Sequence, residues 1–119
     1  MYHYQATLLR VIDADTVQIK IDLGFDIDGI NLTVRLAGID APEKSTEAGK
    51  KALRWLKRQI GSGGKTLWIT TKKDRKEKFG RYLATIWLSE DSSDPSKSIN
   101  QMMITKGHAK PYDGRGPRT

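Results

Sequence analysis

The chain of 119 residues contains no cysteine. That excludes disulfides and thiolate metal sites, and it fixes no redox compartment, because a cysteine-free chain folds in any of them. No apolar run is long enough to span a bilayer. The opening residues, Met1-Tyr2-His3-Tyr4-Gln5, lack the basic and apolar regions of a signal peptide. The expectation is therefore a cytoplasmic protein or the processed mature form of a secreted one. Histidine is scarce, and the two present, His3 and His108, are too isolated to argue for a transition-metal site. Internal repeats and low-complexity tracts are also missing. Acidic residues are outnumbered: Asp plus Glu is 14 against 21 Lys plus Arg, a net charge of +7. Such a balance concentrates polyanions at the surface. Nucleic acid is the commonest partner of this kind, with anionic membrane as the rival.

What is present is strongly patterned. From Thr16 to Leu23, apolar Val17, Ile19, Ile21 and Leu23 alternate with polar residues, as in a strand with one buried face. A second alternating run puts Ile30, Leu32, Val34 and Leu36 on one side and Asn31, Thr33 and Arg35 on the other. Gln5 to Ile12 is β-rich enough for an earlier strand, so the first third of the chain reads as an antiparallel meander. The period then changes. Ala48, Ala52, Trp55 or Leu56, and Ile60 form a helical stripe, with Ser45 or Thr46 to cap it and Gly61, Gly63 and Gly64 to end it. Its outer face carries Lys50, Lys51, Arg54, Lys57 and Arg58. Two further strands are expected at Thr66–Thr71 and Arg81–Leu88, then a short helix near Ile99–Lys106. The stretch from His108 to Thr119 reads as loop, and residues 113–119 as a flexible tail behind a single domain of residues 1–112. This order predicts an α+β protein, mainly β: a five-stranded Greek-key barrel of the oligonucleotide-binding (OB) type, with one helix after the third strand and another after the fifth.

Three clusters carry chemistry. Asp13-Ala14-Asp15 lies at the junction of the first two strands, with its two carboxylates two residues apart. Arg35 sits near the end of the third strand, and Asp40-Ala41-Pro42-Glu43 follows at its exit. Glu77-Lys78-Phe79-Gly80-Arg81 leads into the fifth strand. Cleavage of a phosphodiester needs residues of these types. A hard divalent cation held by oxygen ligands polarises the phosphate and orients a water. A carboxylate free of the metal accepts that water's proton. Arginines stabilise the charge that builds on the phosphoryl oxygens, because their planar fork fits those oxygens. Singly, each cluster is more often a turn, a solvated pair or a surface arginine than a site.

Jointly they form V-I-D-A-D-T, V-R-L-A-G-I-D-A-P-E and K-F-G-R-Y-L-A, which resembles the staphylococcal nuclease family in order and spacing. Ile99-Asn100 and Thr105-Lys106-Gly107-His108-Ala109-Lys110 resemble that family's closing helix and the segment after it. The resemblance runs from Gln5 to Tyr112. It implies an OB barrel that hydrolyses DNA and RNA and leaves the phosphate on the 3′ side. Calcium is the implied cofactor, with magnesium or manganese as alternatives. Asp15 and Asp40 would bind the metal through side chains and Ala41 through its carbonyl, with Asp13 behind them. Glu43 would be the general base, and Arg35 and Arg81 would hold the phosphate. Lys78, Phe79 and Tyr112 would contact the nucleotide. The chain departs from the family in a shorter connection after Glu43, in phenylalanine rather than tyrosine at Phe79, and in the position of Tyr112.

Trp55, Trp68 and Trp87 lie within helix or strand patterns and are expected to pack in or beside the core, as are Met102 and Met103. The basic helix face reads first as solvated and second as an extension of the nucleic-acid footprint. The expected protein is a monomer acting on DNA and RNA, without a membrane or an obligate protein partner. The alternative is a non-catalytic OB module that binds nucleic acid. Such a module has no use for three carboxylates aimed at a polyanion unless a metal intervenes.

Overall fold

The alternating segments form strands whose ends are tied into a closed barrel. The computed structural model describes residues 2–25, 29–61, 63–71, 82–91 and 94–112. Strand β1 (Tyr2–Asp13) turns into β2 (Thr16–Ile21), which pairs antiparallel with β3 (Ile30–Leu36). After β3 come the two-residue β4 (Ile39–Asp40) and helix α1 (Glu47–Ile60). Strands β5 (Thr66–Thr71) and β6 (Tyr82–Trp87) pair with one another. β5 also pairs with β1, and β6 runs parallel to β3, so the barrel closes in the order β1-β2-β3-β6-β5. A 3-10 turn (Pro95–Lys97), helix α2 (Ile99–Thr105) and a short β7 (Lys110–Pro111) complete the described chain. The expected α+β architecture, a five-stranded OB-type barrel with its two helices, is the architecture observed.

β1 is long because it serves two neighbours. Its first half pairs with β5 and its second half with β2, and register shifts between Leu8 and Arg10 and between Val11 and Asp13 bend it around the barrel. Leu8, Val17, Ile19, Leu36, Leu67, Ile69 and Ile86 fill the interior. Ala52, Leu56 and Ile60 of α1 and Ile99 and Met103 of α2 join the same core. Each fully buried aliphatic side chain there stabilises the fold by about 1.5–3 kcal/mol. Among the described residues no helix is long and apolar enough to cross a membrane.

α1 starts as its cap predicts. Thr46 Oγ1 accepts a hydrogen bond from Gly49 N at 3.0 Å, Glu47 lies in the first turn and Lys57 and Arg58 in the last. The stripe differs from expectation at one place. Ala48 is exposed and Gly49 is buried, because the first turn of α1 packs directly on the backbone of Glu43 and Lys44. β2 stops at Ile21 rather than Leu23, and Ile30 is exposed at the far end of β3. Trp55 and Trp87 are buried, Trp68 is half-buried, Met103 is buried and Met102 half-buried.

The segment expected as loop from His108 is ordered as far as Tyr112. His108 N and Ala109 N both donate to Met103 O, β7 pairs with β4, and Tyr112 N donates to Gly38 O at 2.8 Å. This two-stranded sheet straps the chain after α2 across the exit of β3. Residues 113–119 lie outside the described residues.

Candidate active site

One end of the barrel gathers the first two clusters. Asp13 ends β1, and Ala14-Asp15 form the tight turn into β2. Asp13 therefore ends a strand while Asp15 lies in the hairpin turn itself, so the two do not share one extended strand, yet both line the same cleft. The pairing Thr16↔Arg35 brings β3 alongside the turn, and Gly38, at φ +77, reverses the chain from β3 into β4. Asp40, Ala41, Pro42 and Glu43 then pass back over the barrel end. The resulting cleft, of about 360 Å³, is lined by Asp13, Asp15, Arg35, Ala41, Glu43 and Lys44 among others.

Arg35 departs from the sequence reading. The alternation put it on a polar strand face, but it is only 8% exposed. Asp15 and Asp40, 5% and 1% exposed, enclose it. Arg35 Nη2 donates to Asp15 Oδ2 at 3.0 Å and lies 4.0 Å from Asp40 Oδ1. Asp15 Oδ2 also accepts from Ala41 N at 3.3 Å, and Asp15 Oδ1 accepts from Thr16 Oγ1 at 3.2 Å. Asp40 Oδ2 is 3.8 Å from the Nζ of Lys110, whose side chain is largely exposed.

This arrangement can be tested against a metal and a phosphate. Two buried carboxylates share one buried guanidinium, and the further cation beside them, Lys110, is largely exposed and screened by solvent, so the buried negative charge is incompletely offset at low dielectric. Burying an unbalanced charge is costly, so the pair favours an added cation. The donors are oxygen only, which selects a hard ion such as calcium, magnesium or manganese. Among the described residues no group of three or more Asp, Glu and His side chains converges. A cation here would draw its remaining ligands from backbone, water or phosphate oxygens. Arg35 Nε is buried without a hydrogen-bond acceptor among the described residues. Buried polar groups are seldom left unpaired, and an incoming phosphate oxygen is a suitable acceptor. The residues fit both groups.

Glu43 differs from the two aspartates. Its side chain is exposed, and its backbone is locked: Glu43 O accepts from Thr46 N at 3.0 Å and from Thr46 Oγ1 at 2.7 Å. A single threonine therefore caps α1 and holds Glu43 at the cleft rim. Asp13 lies 3.7 Å from Lys44 Nζ, a pairing without a signal in the sequence. Tyr112 is tethered through its backbone to Gly38 and is half-buried. Lys78, Phe79 and Arg81 lie outside the described residues. So Asp13, Asp15, Arg35, Asp40, Ala41 and Glu43 come together, and Tyr112 reaches the same end of the barrel through the β4–β7 strap.

Sequence reasoning missed Asn100. Its Nδ2 donates to Ala37 O at 2.8 Å and to Ala84 O at 3.1 Å, and its Oδ1 accepts from Ile86 N at 3.1 Å. It thus fixes the backbone that leads from Arg35 to Asp40. The signal was a polar residue at an inward position of an otherwise apolar helix face.

A family model described as staphylococcal nuclease homologue matches residues 33–119. Among curated proteins, the chain is 31% identical over 112 residues to Protein ParB of Escherichia coli, covering 92% of this chain and 58% of that one. It is 31% identical over 109 residues to a thermonuclease of Staphylococcus hyicus, covering 87% of this chain and 56% of the relative. It is 27% identical over 107 residues to an uncharacterized endonuclease of Escherichia coli, covering 89% and 60%. The chain thus spans well under two thirds of the length of these relatives.

Proposed function

The chain belongs to the staphylococcal nuclease family, and from that premise we propose that it is a metal-dependent endonuclease that hydrolyses phosphodiester bonds in DNA and RNA. The observation that carries this reading is the buried Arg35 guanidinium held between Asp15 and Asp40 beside an exposed, backbone-locked Glu43. The thermonuclease and endonuclease names of its relatives support it.

Asp15 and Asp40 are the side chains that would hold the cation, with Ala41 O as a backbone ligand and Asp13 supporting them from behind. Calcium fits the all-oxygen donors, and magnesium or manganese are alternatives. When bound, such an ion polarises the phosphate and offsets its negative charge. Arg35 binds a non-bridging phosphoryl oxygen and meets the charge that grows there in the transition state. Glu43 takes a proton from the attacking water. The water oxygen bonds to phosphorus and the bond from phosphorus to the 5′ oxygen breaks. The 5′ oxygen takes a proton from solvent and leaves as a hydroxyl, while the phosphate remains on the 3′ side. Arg81 would share the phosphate with Arg35, and Lys78, Phe79 and Tyr112 would contact the nucleotide. The protein would act as a monomer.

The test is digestion of supercoiled plasmid, single-stranded DNA and RNA with calcium, with magnesium and with EDTA, followed by end-group analysis of the products. Cutting that requires a divalent ion and leaves 3′-phosphates is expected. Undiminished cutting in EDTA would overturn the reading, and so would binding without cutting under every metal.

A further inference from the structure

The cleft that holds Asp15 and Arg35 does not end at Glu43. Pro42 and Glu43 also line a second depression, of about 610 Å³, which runs past Asp40 and Thr46 to His108 and Lys110. Thr46, the N-cap of α1, lines it, and α1 meets its His108 end through Trp55. The Trp55 and His108 rings pack with centroids 5.3 Å apart. Lys51 and Arg58 flank Trp55 at helical spacing, are exposed, and lie close enough to His108 for their charge to act on its imidazole. Lys110, with its side chain 63% exposed, stands on the other rim.

Only part of the charge on this helix has a folding rationale: Lys57 and Arg58 in the last turn offset the helix dipole, whereas Lys51 and Arg54 have no such role. Lys50, Lys51, Arg54, Lys57 and Arg58 are all exposed, and Glu47 is the helix's only acid. A face kept merely for solvation alternates its signs, whereas like charges three and four residues apart repel and weaken the helix. Lys50 lies 3.8 Å from Glu47, but among the described residues neither Lys51 nor Arg58 has a carboxylate within ion-pair reach.

We propose that the second depression and the Lys51–Arg58 face of α1 form an extended track for the substrate strand, which takes up phosphates flanking the one in the first cleft. The inference rests on the nucleic-acid part of the proposed function and extends it to a named surface. The occupant is a single strand of nucleic acid. Its regularly spaced phosphates match a row of cations, and its flexible backbone can turn at Pro42–Glu43 from one depression into the next.

The experiment measures binding of a short (about 2-nucleotide) and a long (about 12-nucleotide) oligothymidylate in EDTA, so that nothing is cut. The proteins are the unaltered chain, the double variant Lys51→Gln/Arg58→Gln, and the charge-matched control Lys20→Gln/Lys97→Gln, whose lysines are exposed and line neither depression. Losing two phosphate contacts on a single strand lowers the steepness of log K against log salt by about 1.4, which corresponds to about 25-fold weaker binding of the long strand at about 0.1 M salt. The expected result is that loss in the double variant, with the control unchanged, so that affinity gains less from strand length. Equal affinity and equal salt dependence in all three proteins would overturn the track. A loss of equal size in the control would also overturn it, by assigning the effect to net charge. Because binding is read without cleavage, the outcomes separate: a chain that binds through this face but cuts nothing with any metal would end the nuclease reading and leave the track standing.

Discussion

Replacing Gly49 by alanine tests how tightly α1 governs Glu43. Glycine weakens a helix by up to about 1 kcal/mol relative to alanine, so propensity alone says that Gly49→Ala stabilises the protein. The structure says the opposite. A Cβ at this position would overlap the carbonyl carbon and oxygen of Glu43 and lie 2.9 Å from Lys44 Cα. All three atoms are backbone, so no rotamer change relieves the clash. Overpacking of this kind costs about 1–3 kcal/mol, and a rigid backbone obstacle belongs at the upper end. After the gain in propensity, the net loss is about 2 kcal/mol, or about 8 °C in melting temperature for a domain of this size. Restoring ordinary contact distance moves the Glu43–Lys44 segment by more than about 1 Å, and a displacement of about 1 Å already costs about 100-fold in rate when a catalytic group is involved. The assay is a thermal melt beside metal-activated cleavage of single-stranded DNA. A variant that melts higher than the unaltered chain and cuts equally fast would refute the argument.

Three further outcomes follow from the same geometry. Asn100→Ala leaves Ala37 O, Ala84 O and Ile86 N without the amide that bridges them; a loss of about 3 kcal/mol in a urea melt is expected, and a loss below about 1 kcal/mol would mean these groups find other partners. Burial, aided by the charges of Lys51 and Arg58, lowers the His108 pKa from its ordinary value of 6.5. The unfolded chain therefore takes up this proton before the folded one does. Stability is unaffected above the unfolded value, falls as pH drops below about 6.5, and levels off once the folded pKa is passed. His108→Gln should remove that part of the decline in melting temperature between neutral and mildly acid pH, and an unchanged decline would contradict it. Arg35→Lys keeps the charge but loses the planar fork, so cleavage should fall by about 100-fold, and a rate within a few-fold of the original would show that the fork is dispensable.

How far the sequence could be read depended on the kind of signal. β3 and α1 were legible because a period of two or of about 3.6 repeats over many residues. β4 and β7 are two residues each and carry no period, so the strap that orders His108 to Tyr112 was invisible. The alternation located Arg35 on a strand but not its burial, because the roof over it comes from Asp15 and Asp40, 20 residues before and 5 after it in the sequence. Ala48 looked like a core position on spacing alone. What displaced it was the close approach of Gly49 to the Glu43 backbone in the turn that leads into α1, a contact that an apolar period does not encode. The candidate site itself was found through motifs read jointly, since each alone also fits an ordinary turn.

The role of Glu43 as the base of a metal-assisted cleft is decided by measuring calcium binding and single-turnover cleavage of single-stranded DNA on the same samples of the unaltered chain and Glu43→Gln. Calcium binding should persist, because Asp15 and Asp40 are intact, while the cleavage step slows by about 100- to 10,000-fold. Cleavage by Glu43→Gln at the original rate, with calcium bound, would contradict it.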